Sequence, residues 1–315
     1  MGSKLIGRVM AAPRSIVVLG AGELGSEVLK SLASHPSRSD SRLALLLRPT
    51  AIETEHVKKR SHIRSYEQLG IDILTGDVVK YSLEQLSELF APFHTVISCT
   101  GMTFPKGTQP KIAKAALVAG VERYFPWQYG IDYDKIGRAS AQDLFDEQLD
   151  VRDLLRSQQK TGWVIVSTGM FISFLFEPAF GVVDLEKRSV TAIGSWENAL
   201  TVTAPSDIGK ITAEIALAAP EEQGVVYVAG DTVSMKRLAD VVEKLLETKI
   251  DRELKTMEQL RDELEQAPSD VMRKYRAVFG AGVGVAWDKS KSFNGRREIE
   301  TVSVEQWARE NLRKG

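Results

Sequence analysis

The feature that most constrains the fold is a glycine-rich turn between an apolar run and a helical pattern. Residues 15–25 read SIVVLGAGELG, with the spacing G-x-G-x-x-G. Such a turn lets the backbone approach a pyrophosphate, and the N–H groups that begin the next helix favour its charge. The run predicts the first βα unit of a Rossmann fold that binds a dinucleotide; a turn serving packing alone is the alternative. The expected contacts are Gly20, Gly22, Glu23, Leu24 and Gly25.

The end of the second predicted strand bears on which dinucleotide binds. Residues 42–47 (RLALLL) form an apolar strand that is followed by Arg48. An acidic residue at this place usually accepts hydrogen bonds from the ribose of NAD, whereas an arginine accommodates the 2′-phosphate of NADP. The first acidic residue, Glu53, falls on the following helix. The sequence therefore favours NADP(H), with an ordinary surface arginine as the alternative for Arg48.

Composition and charge narrow the class of protein. The 315 residues carry 41 Lys and Arg against 42 Asp and Glu, which argues against nucleic acid as the main partner. One cysteine, Cys99, excludes a disulfide framework, and the four histidines lack ligand spacing, so we expect no metal. Residues 1–15 lack the apolar core of a signal peptide, and no run approaches the ~20 apolar residues of a membrane span. We expect a cytoplasmic protein without membrane partners.

Strand and helix patterns alternate over the first half of the chain. This pattern predicts an α/β fold: a Rossmann doubly wound parallel sheet with a smaller α/β substrate domain. Ligands bind at the carboxyl ends of such strands, where Thr100, Gly101 and Trp127 fall. The predicted strands are Ile16–Leu19, Arg42–Leu47, Ile71–Thr75, His94–Ser98, Arg123–Pro126 and Trp163–Ser167.

Three parts of the chain are expected to differ in role. Residues 1–14 are a flexible N-terminal arm, residues 15–170 the NADP-binding Rossmann domain, and residues 171–315 mainly the substrate-binding region, with segments returning to the Rossmann domain. The aromatic run at 170–180 indicates a pocket wall or a core. The candidate pocket residues are Tyr129, Met170, Phe171 and Phe174. Helices are predicted at Glu53–Leu69, Asp207–Ala219, Ser234–Glu247, Leu254–Glu265 and Ser303–Arg313.

The usual catalytic pair of short-chain dehydrogenases is missing, since no tyrosine has a lysine four residues later. Residues 123–152 instead resemble the corresponding stretch of the isoflavone reductase-like, NmrA-like family of atypical short-chain dehydrogenases. The resemblance extends over nearly the whole chain and is strongest over residues 15–175. Its other motifs, in the family's order, are the glycine-rich turn, Arg48, Thr100-Gly101, the string FPWQYGID at 125–132 and STGMF at 167–171.

The resemblance has consequences for chemistry. It implies NADPH-dependent reduction of a small aromatic or heterocyclic substrate in a cleft between two domains, and residues 123–184 resemble the fungal branch, whose members often accompany secondary metabolism. It also implies a catalytic lysine three residues beyond a phenylalanine on the helix after strand five. Here Gln148 stands three residues beyond Phe145, once a one-residue gap is placed in the preceding loop. A neutral amide donates a hydrogen bond but supplies no proton. A surface glutamine is the plain alternative.

Other side chains near the end of strand five are then candidates for proton transfer. Asp132 and Tyr133 follow that strand, and a carboxyl group in an apolar pocket can serve as a general acid. An acidic residue at a helix start is also typical of capping. Trp127 would stack on a planar substrate or simply fill space. No spacing argument selects a substitute lysine among Lys106, Lys111 and Lys135.

Three functions remain open on the sequence. The first is an NADPH-dependent reductase acting on a C=C, C=N or activated ether of a small aromatic or heterocyclic metabolite. The second is a non-redox enzyme that retains NADP(H), such as a Pictet–Spengler-type imine or iminium cyclase in alkaloid biosynthesis. The third is an NmrA-like redox-sensing regulator. We expect a monomer or a homodimer.

Overall fold

The computed structural model describes residues 14–38, 41–53, 57–101 and 104–312. The flexible arm expected at residues 1–14 lies outside these ranges except for Arg14, which donates to the carbonyl of Ala216 at 3.0 Å. In the described residues no helix is long and apolar enough to span a bilayer.

The strands are, in chain order, β1 Ser15–Leu19, β2 Arg42–Leu47, β3 Ile71–Thr75, β4 Thr95–Ser98, β5 Arg123–Phe125, β6 Gly162–Ser167, β7 Met170–Phe171, β8 Val183–Asp184, β9 Ser189–Ile193, β10 Ala199–Thr203, β11 Gly224–Tyr227, β12 Asp231–Ser234 and β13 Asp251–Lys255. The α-helices are α1 Glu23–Ser34, α2 Pro49–Ile52, α3 Val57–Gln68, α4 Leu83–Phe90, α5 Thr108–Ala119, α6 Tyr133–Ile136, α7 Leu144–Arg156, α8 Ile172–Leu175, α9 Pro205–Leu217, α10 Met235–Leu246, α11 Met257–Gln266, α12 Val271–Gly280, α13 Phe293–Arg296 and α14 Val304–Leu312. Short 3₁₀ helices are Pro36–Arg38, Pro178–Phe180 and Lys289–Lys291.

The main sheet has seven parallel strands in the order β11-β6-β5-β4-β1-β2-β3. Strand order reverses between β1 and β4, which pair directly. Residues alternate between the two faces of the sheet: Ile16 and Val18 belong to one buried cluster, and Val17 and Leu19 to the other. This arrangement confirms the doubly wound α/β prediction, and it places a ligand-binding crevice beyond the ends of β1 and β4.

A second layer is built on two small sheets, ordered β12-β10-β7 and β13-β9-β8. Their inner faces form a third core cluster with residues of α10, α12 and α14. Two elements from this half of the chain belong to the main sheet instead: β11 pairs with β6, and α9 packs on α1. A Cβ added to Gly209 of α9 would lie 2.5 Å from the backbone of Glu27, so glycine permits that close helix contact.

Two helix predictions were wrong in extent. The helix expected at Glu53–Leu69 is two helices, α2 and α3, with residues 54–56 outside the described part. The helix expected from Leu254 begins at Met257, because residues 251–255 pair with β9 and the Thr256 side chain accepts from the backbone N–H of Gln259. The β pairing and the capping box both favour a helix that starts after Thr256.

Candidate active site

Two cavities open at the carboxyl edge of the main sheet. The first, of about 360 Å³, is here called the glycine cleft, and the second, of about 450 Å³, the aromatic cavity. Residues that line the glycine cleft include Gly20, Gly22, Arg48, His62, Cys99, Thr100 and Gly101. Those of the aromatic cavity are Glu23, Trp127, Tyr129, Tyr133, Phe145, Met170, Phe171, Phe174, Glu177, Tyr275 and Phe279.

The backbone of the glycine-rich turn forms the floor of the glycine cleft. Gly20 has a φ of +87°, a conformation that side-chain-bearing residues rarely adopt. A Cβ on Gly25 would lie 2.1 Å from the carbonyl oxygen of Gly20, so the helix and the turn touch through glycine. A Cβ on Gly22 would meet nothing within 4 Å and would project into open space. Gly22 is also the N-cap of α1 and provides no side-chain cap.

These features fit the pyrophosphate of a dinucleotide. The start of α1 has uncapped N–H groups and a partial positive charge, and the open space above Gly22 permits a phosphate to approach them. Leu24 is buried in the core, so only its backbone is available to such a ligand. The Glu23 side chain faces the aromatic cavity rather than the glycine cleft. Glu23 and Leu24 would therefore meet the cofactor through their backbone N–H groups, and this stays a prediction.

The far end of the glycine cleft holds its basic group. Arg48 follows β2, caps α2 and lines the cleft beside His62, as expected for a group that meets a 2′-phosphate. Sequence reasoning missed His62, which stands alone in a polar helix. Of the nearby positive charges, Arg60 is exposed, and the side chains of Lys58 and Lys59 lie outside what the structure describes. The residues that line this cleft therefore fit NADP(H).

The opposite wall of the glycine cleft comes from the end of β4. Thr100 is buried, its hydroxyl is 3.0 Å from that of Ser98, and its carbonyl accepts from the Gln109 side chain at 2.9 Å. Gly101 also lines the cleft. Cys99 lies between these residues and the turn, and burial raises the pKa of its thiol. The thiol is therefore protonated and packed rather than nucleophilic.

The aromatic cavity is assembled from five separate parts of the chain. The structure brings Tyr129, Met170, Phe171 and Phe174 to its wall, together with Trp127. More than half of its wall precedes residue 171. Sequence reasoning missed Tyr275 and Phe279 of α12 as wall residues and used Phe145 only as a marker. The one signal for α12 was its aromatic pair four residues apart, which a core helix also shows.

Tyr133 is the polar side chain best placed to act on a molecule in the aromatic cavity. Its ring lies 4.8 Å from that of Phe145, and burial raises the pKa of Tyr133 to about 12. The phenol has no hydrogen-bond partner among the described residues. A Cβ on Gly130 would lie 2.4 Å from its oxygen, so glycine leaves room for this hydroxyl. Tyr133 is a protonated donor at neutral pH.

A buried arginine supports Tyr133 from behind. The Arg152 guanidinium lies 5.2 Å from the centre of the Tyr133 ring and is fully buried. It donates to the side-chain oxygen of Gln128 at 2.8 Å and to Asp134 at 2.6 Å. The hydrogen bond from Arg156, with Arg152 adding to it, holds the pKa of Asp134 at about 2. This ion network fixes α6 against α7 and thereby fixes Tyr133.

Asp132 does not fit the catalytic role expected of it. It is buried, caps α6, and accepts from the Tyr227 hydroxyl at 2.8 Å, while Lys135 lies 3.3 Å away. It lines neither cavity. Its hydrogen bonds hold α6 to β11, which is a structural role. Capping carboxylates and catalytic carboxylates occupy similar places after a strand, so the sequence alone does not separate the two roles.

Gln148 is not a surface residue, so that plain alternative is wrong. It is 1% exposed on α7, and neither polar atom of its side-chain amide has a hydrogen-bond partner among the described residues. Its backbone carbonyl accepts from the Gln128 side chain at 2.8 Å. It lines neither cavity as they stand. A buried amide without partners is costly, so Gln148 offers an unused donor and acceptor behind the cavities.

In the part of the chain that is described, no group of three or more His, Cys, Asp or Glu is arranged to hold a metal ion. The described residues of the aromatic cavity offer aromatic rings, the Tyr133 phenol and two carboxylates, those of Glu23 and Glu177.

Comparison with known proteins identifies the family. The NmrA-like family model matches residues 13–293. An NmrA-like family domain-containing oxidoreductase of Gibberella moniliformis is 45% identical over 301 residues, covering 94% of this chain and 97% of that protein. Phenylcoumaran benzylic ether reductase TP7 of Nicotiana tabacum is 24% identical over 263 residues, covering 80% and 81%. The structure of AtPrR2 with NADP+ and (+)pinoresinol shares the fold, with a TM-score of 0.78 at 16% identity over 95% of this chain and 99% of that one. The resemblance is thus confirmed, and the chain belongs to the NmrA-like family.

Proposed function

We propose that the protein is an NADPH-dependent reductase of a small aromatic or heterocyclic secondary metabolite. The observation that carries the proposal is the adjacency of the two cavities: α1 presents its N-terminus to the glycine cleft and its first side chain, Glu23, to the aromatic cavity. The names of the relatives support it, since they include an oxidoreductase, a benzylic ether reductase and a protein solved with NADP+ and an aromatic ligand.

The glycine cleft would hold NADP(H) through a small set of groups. The backbone from Gly20 to Gly25 would bind the pyrophosphate, and Arg48 the 2′-phosphate. Thr100 and Gly101 would lie along the cofactor toward the aromatic cavity. NADPH supplies a hydride when bound there. Gln148, whose side-chain amide has no hydrogen-bond partner among the described residues, would bond to a carbonyl or hydroxyl that reaches it.

The aromatic cavity would bind and orient the substrate. Its rings would stack on a planar molecule, and Trp127, two residues after β5, would be one of them. The Tyr133 phenol, protonated at neutral pH, would donate a hydrogen bond to an oxygen or nitrogen that gains charge during reduction. Arg152 and Asp134 hold that phenol in place and do not themselves contact the substrate.

A non-redox cyclase is a second candidate because the place of the family's lysine is taken by Gln148. A buried neutral amide supplies no proton, and an imine or iminium ring closure does not need one from that position. NADP(H) would then form part of the cavity wall without being consumed.

One experiment separates these functions. The protein is incubated with NADPH carrying deuterium at C4, on each face in parallel, and with extract of the producing organism, and every changed species is followed by mass spectrometry. A reductase gives a product with one deuterium. A product that forms without label and with NADPH intact would rule out the reductase and favour the cyclase. Binding of NADPH with no product at all would favour the regulator.

A further inference from the structure

The wall of the aromatic cavity combines aromatic rings with negative charge only. Its charged residues are Glu23, in the first turn of α1, and Glu177, just after α8. Among the described residues that line it, none is Lys, Arg or His. Arg152 lies behind the Tyr133 ring, but its charge is offset by Asp134 at 2.6 Å. Among the described residues of the wall, the fixed charges are therefore those of the two glutamates.

These two carboxylates are not committed to partners within the fold. Neither Glu23 nor Glu177 forms an ion pair with any described residue. The Glu23 carboxylate accepts from the Ser173 hydroxyl at 3.3 Å, which is a neutral donor. By contrast, Asp143 at the start of α7 pairs with Lys274 of α12. Unpaired carboxylates beside an apolar cavity are available to a charged ligand.

The rings of the wall also favour a cation. Phe174 and Tyr275 meet edge to face with centroids 5.6 Å apart, and Phe145 and Tyr275 do so at 6.2 Å. The face of each ring is the negative side of its quadrupole, so a cation within about 6 Å of a face is attracted. An anion would meet repulsion from both the faces and the carboxylates.

We infer that the substrate of the aromatic cavity is an aromatic molecule bearing a positive charge, an arylalkyl ammonium or an iminium, and that Glu23 and Glu177 select it. This inference rests on the proposed function. The chemistry balances: the C=N carbon of an iminium gains the hydride that NADPH supplies, the π electron pair moves to nitrogen, and a neutral amine forms with NADP+. No proton is taken from the protein in this step.

The test measures binding of three probes that share an indole ring and differ in charge. Tryptamine is a cation at pH 7, tryptophol is neutral and indole-3-propionate is an anion. Each is titrated calorimetrically into the protein loaded with NADP+. We expect tryptamine to bind about tenfold more tightly than tryptophol, and indole-3-propionate to bind least. Because the carboxylates lie at an exposed rim, the preference should shrink as salt is raised.

The variant Glu177→Gln keeps the side-chain shape and removes one charge. It should weaken tryptamine about three- to tenfold and leave tryptophol unchanged. Glu265→Gln removes a charge from an exposed position of α11 that lines neither cavity, and it should change neither affinity. Glu23→Gln should act like Glu177→Gln, with a separate NADP+ titration to show any change at the glycine cleft.

Three results would overturn the inference: equal affinity for tryptamine and tryptophol, tighter binding of the anion, or no tryptamine binding up to about 10 mM, that is, a binding free energy weaker than about 4 kcal/mol. The charge preference and the deuterium transfer are independent readouts. A preference for cations without hydride transfer removes the reductase and keeps the charge selection. Hydride transfer to neutral molecules with no cation preference removes the charge selection and keeps the reductase.

Discussion

The glycine cleft and the aromatic cavity share one edge of the sheet but are built by different means. The glycine cleft depends on main chain: Gly20 at a φ of +87°, Gly25 against the Gly20 carbonyl, and the uncapped start of α1. The aromatic cavity depends on side chains from α7, from residues 127–133 and 169–177, and from α12. A surface made of backbone tolerates almost no added atoms, whereas one made of side chains changes its ligand without changing the fold.

Substitutions at the glycines of the turn should have the largest effect on the glycine cleft. Gly25→Ala places a methyl group 2.1 Å from the Gly20 carbonyl, so the turn must shift. We expect a loss of about 1–3 kcal/mol in the free energy of unfolding, and loss of NADPH binding by about 100-fold or more. Gly22→Ala is the matched control, because its methyl group meets open space in the free protein. It should keep the unfolding free energy and still weaken NADPH. Denaturant melts and NADPH titrations measure both, and normal NADPH binding by Gly25→Ala would contradict the backbone model.

Arg48 is the one lysine or arginine among the described residues that line the glycine cleft, and its substitution tests how the cleft recognises the 2′-phosphate. Arg48→Ala should weaken NADPH about 10- to 100-fold, because a charge-assisted bond to the 2′-phosphate is lost. NADH has no such phosphate and should bind with nearly unchanged affinity. Arg60→Ala, at an exposed position of α3, should alter neither. A parallel loss of NADH and NADPH binding would show that Arg48 shapes the cleft rather than reading the phosphate.

Asp134 tests whether the aromatic cavity depends on the charges behind it. Its pKa in the folded protein, about 2, lies below the unfolded value of roughly 3.9, so it stabilises the fold above that value and the contribution is lost as pH falls toward 2. After allowance for its partly exposed side chain, Asp134→Asn should cost roughly 1 kcal/mol at pH 7. The difference from the unmodified protein should shrink steadily below pH 4.

The control for Asp134 is Asp150→Asn, which breaks the exposed pair with Arg138. That variant should lose less than about 0.5 kcal/mol in chemical denaturation at pH 7. If the two variants are equally stable at every pH, the buried guanidinium of Arg152 does not need Asp134, and the support assigned to Tyr133 is incorrect.

The sequence predicts the glycine cleft better than it predicts the aromatic cavity. Six of the seven strands of the main sheet, all but β11, and the placement of Arg48 beside the turn follow from contiguous patterns, since parallel strands buried on both faces read as apolar runs. The approach of α12 to the 170–180 segment does not, because nothing in residues 271–280 indicates which partner their aromatic side chains meet. Asp132 and Gln148 show a further limit of sequence prediction. Asp132 accepts a hydrogen bond from Tyr227, and the Gln148 carbonyl accepts one from Gln128. No local pattern in the sequence indicates either partner.

The position of Cys99 makes its alkylation rate a measure of how often the crevice opens locally. It is the one cysteine of the chain, it lies at the floor of the crevice between β1 and β4, and burial keeps its thiol protonated. A buried, protonated thiol reacts with an alkylating reagent only when local opening of the structure exposes it. The alkylation rate thus reports the frequency of that opening. A dinucleotide bound in the crevice should lower the alkylation rate in proportion to the fraction of protein that it occupies.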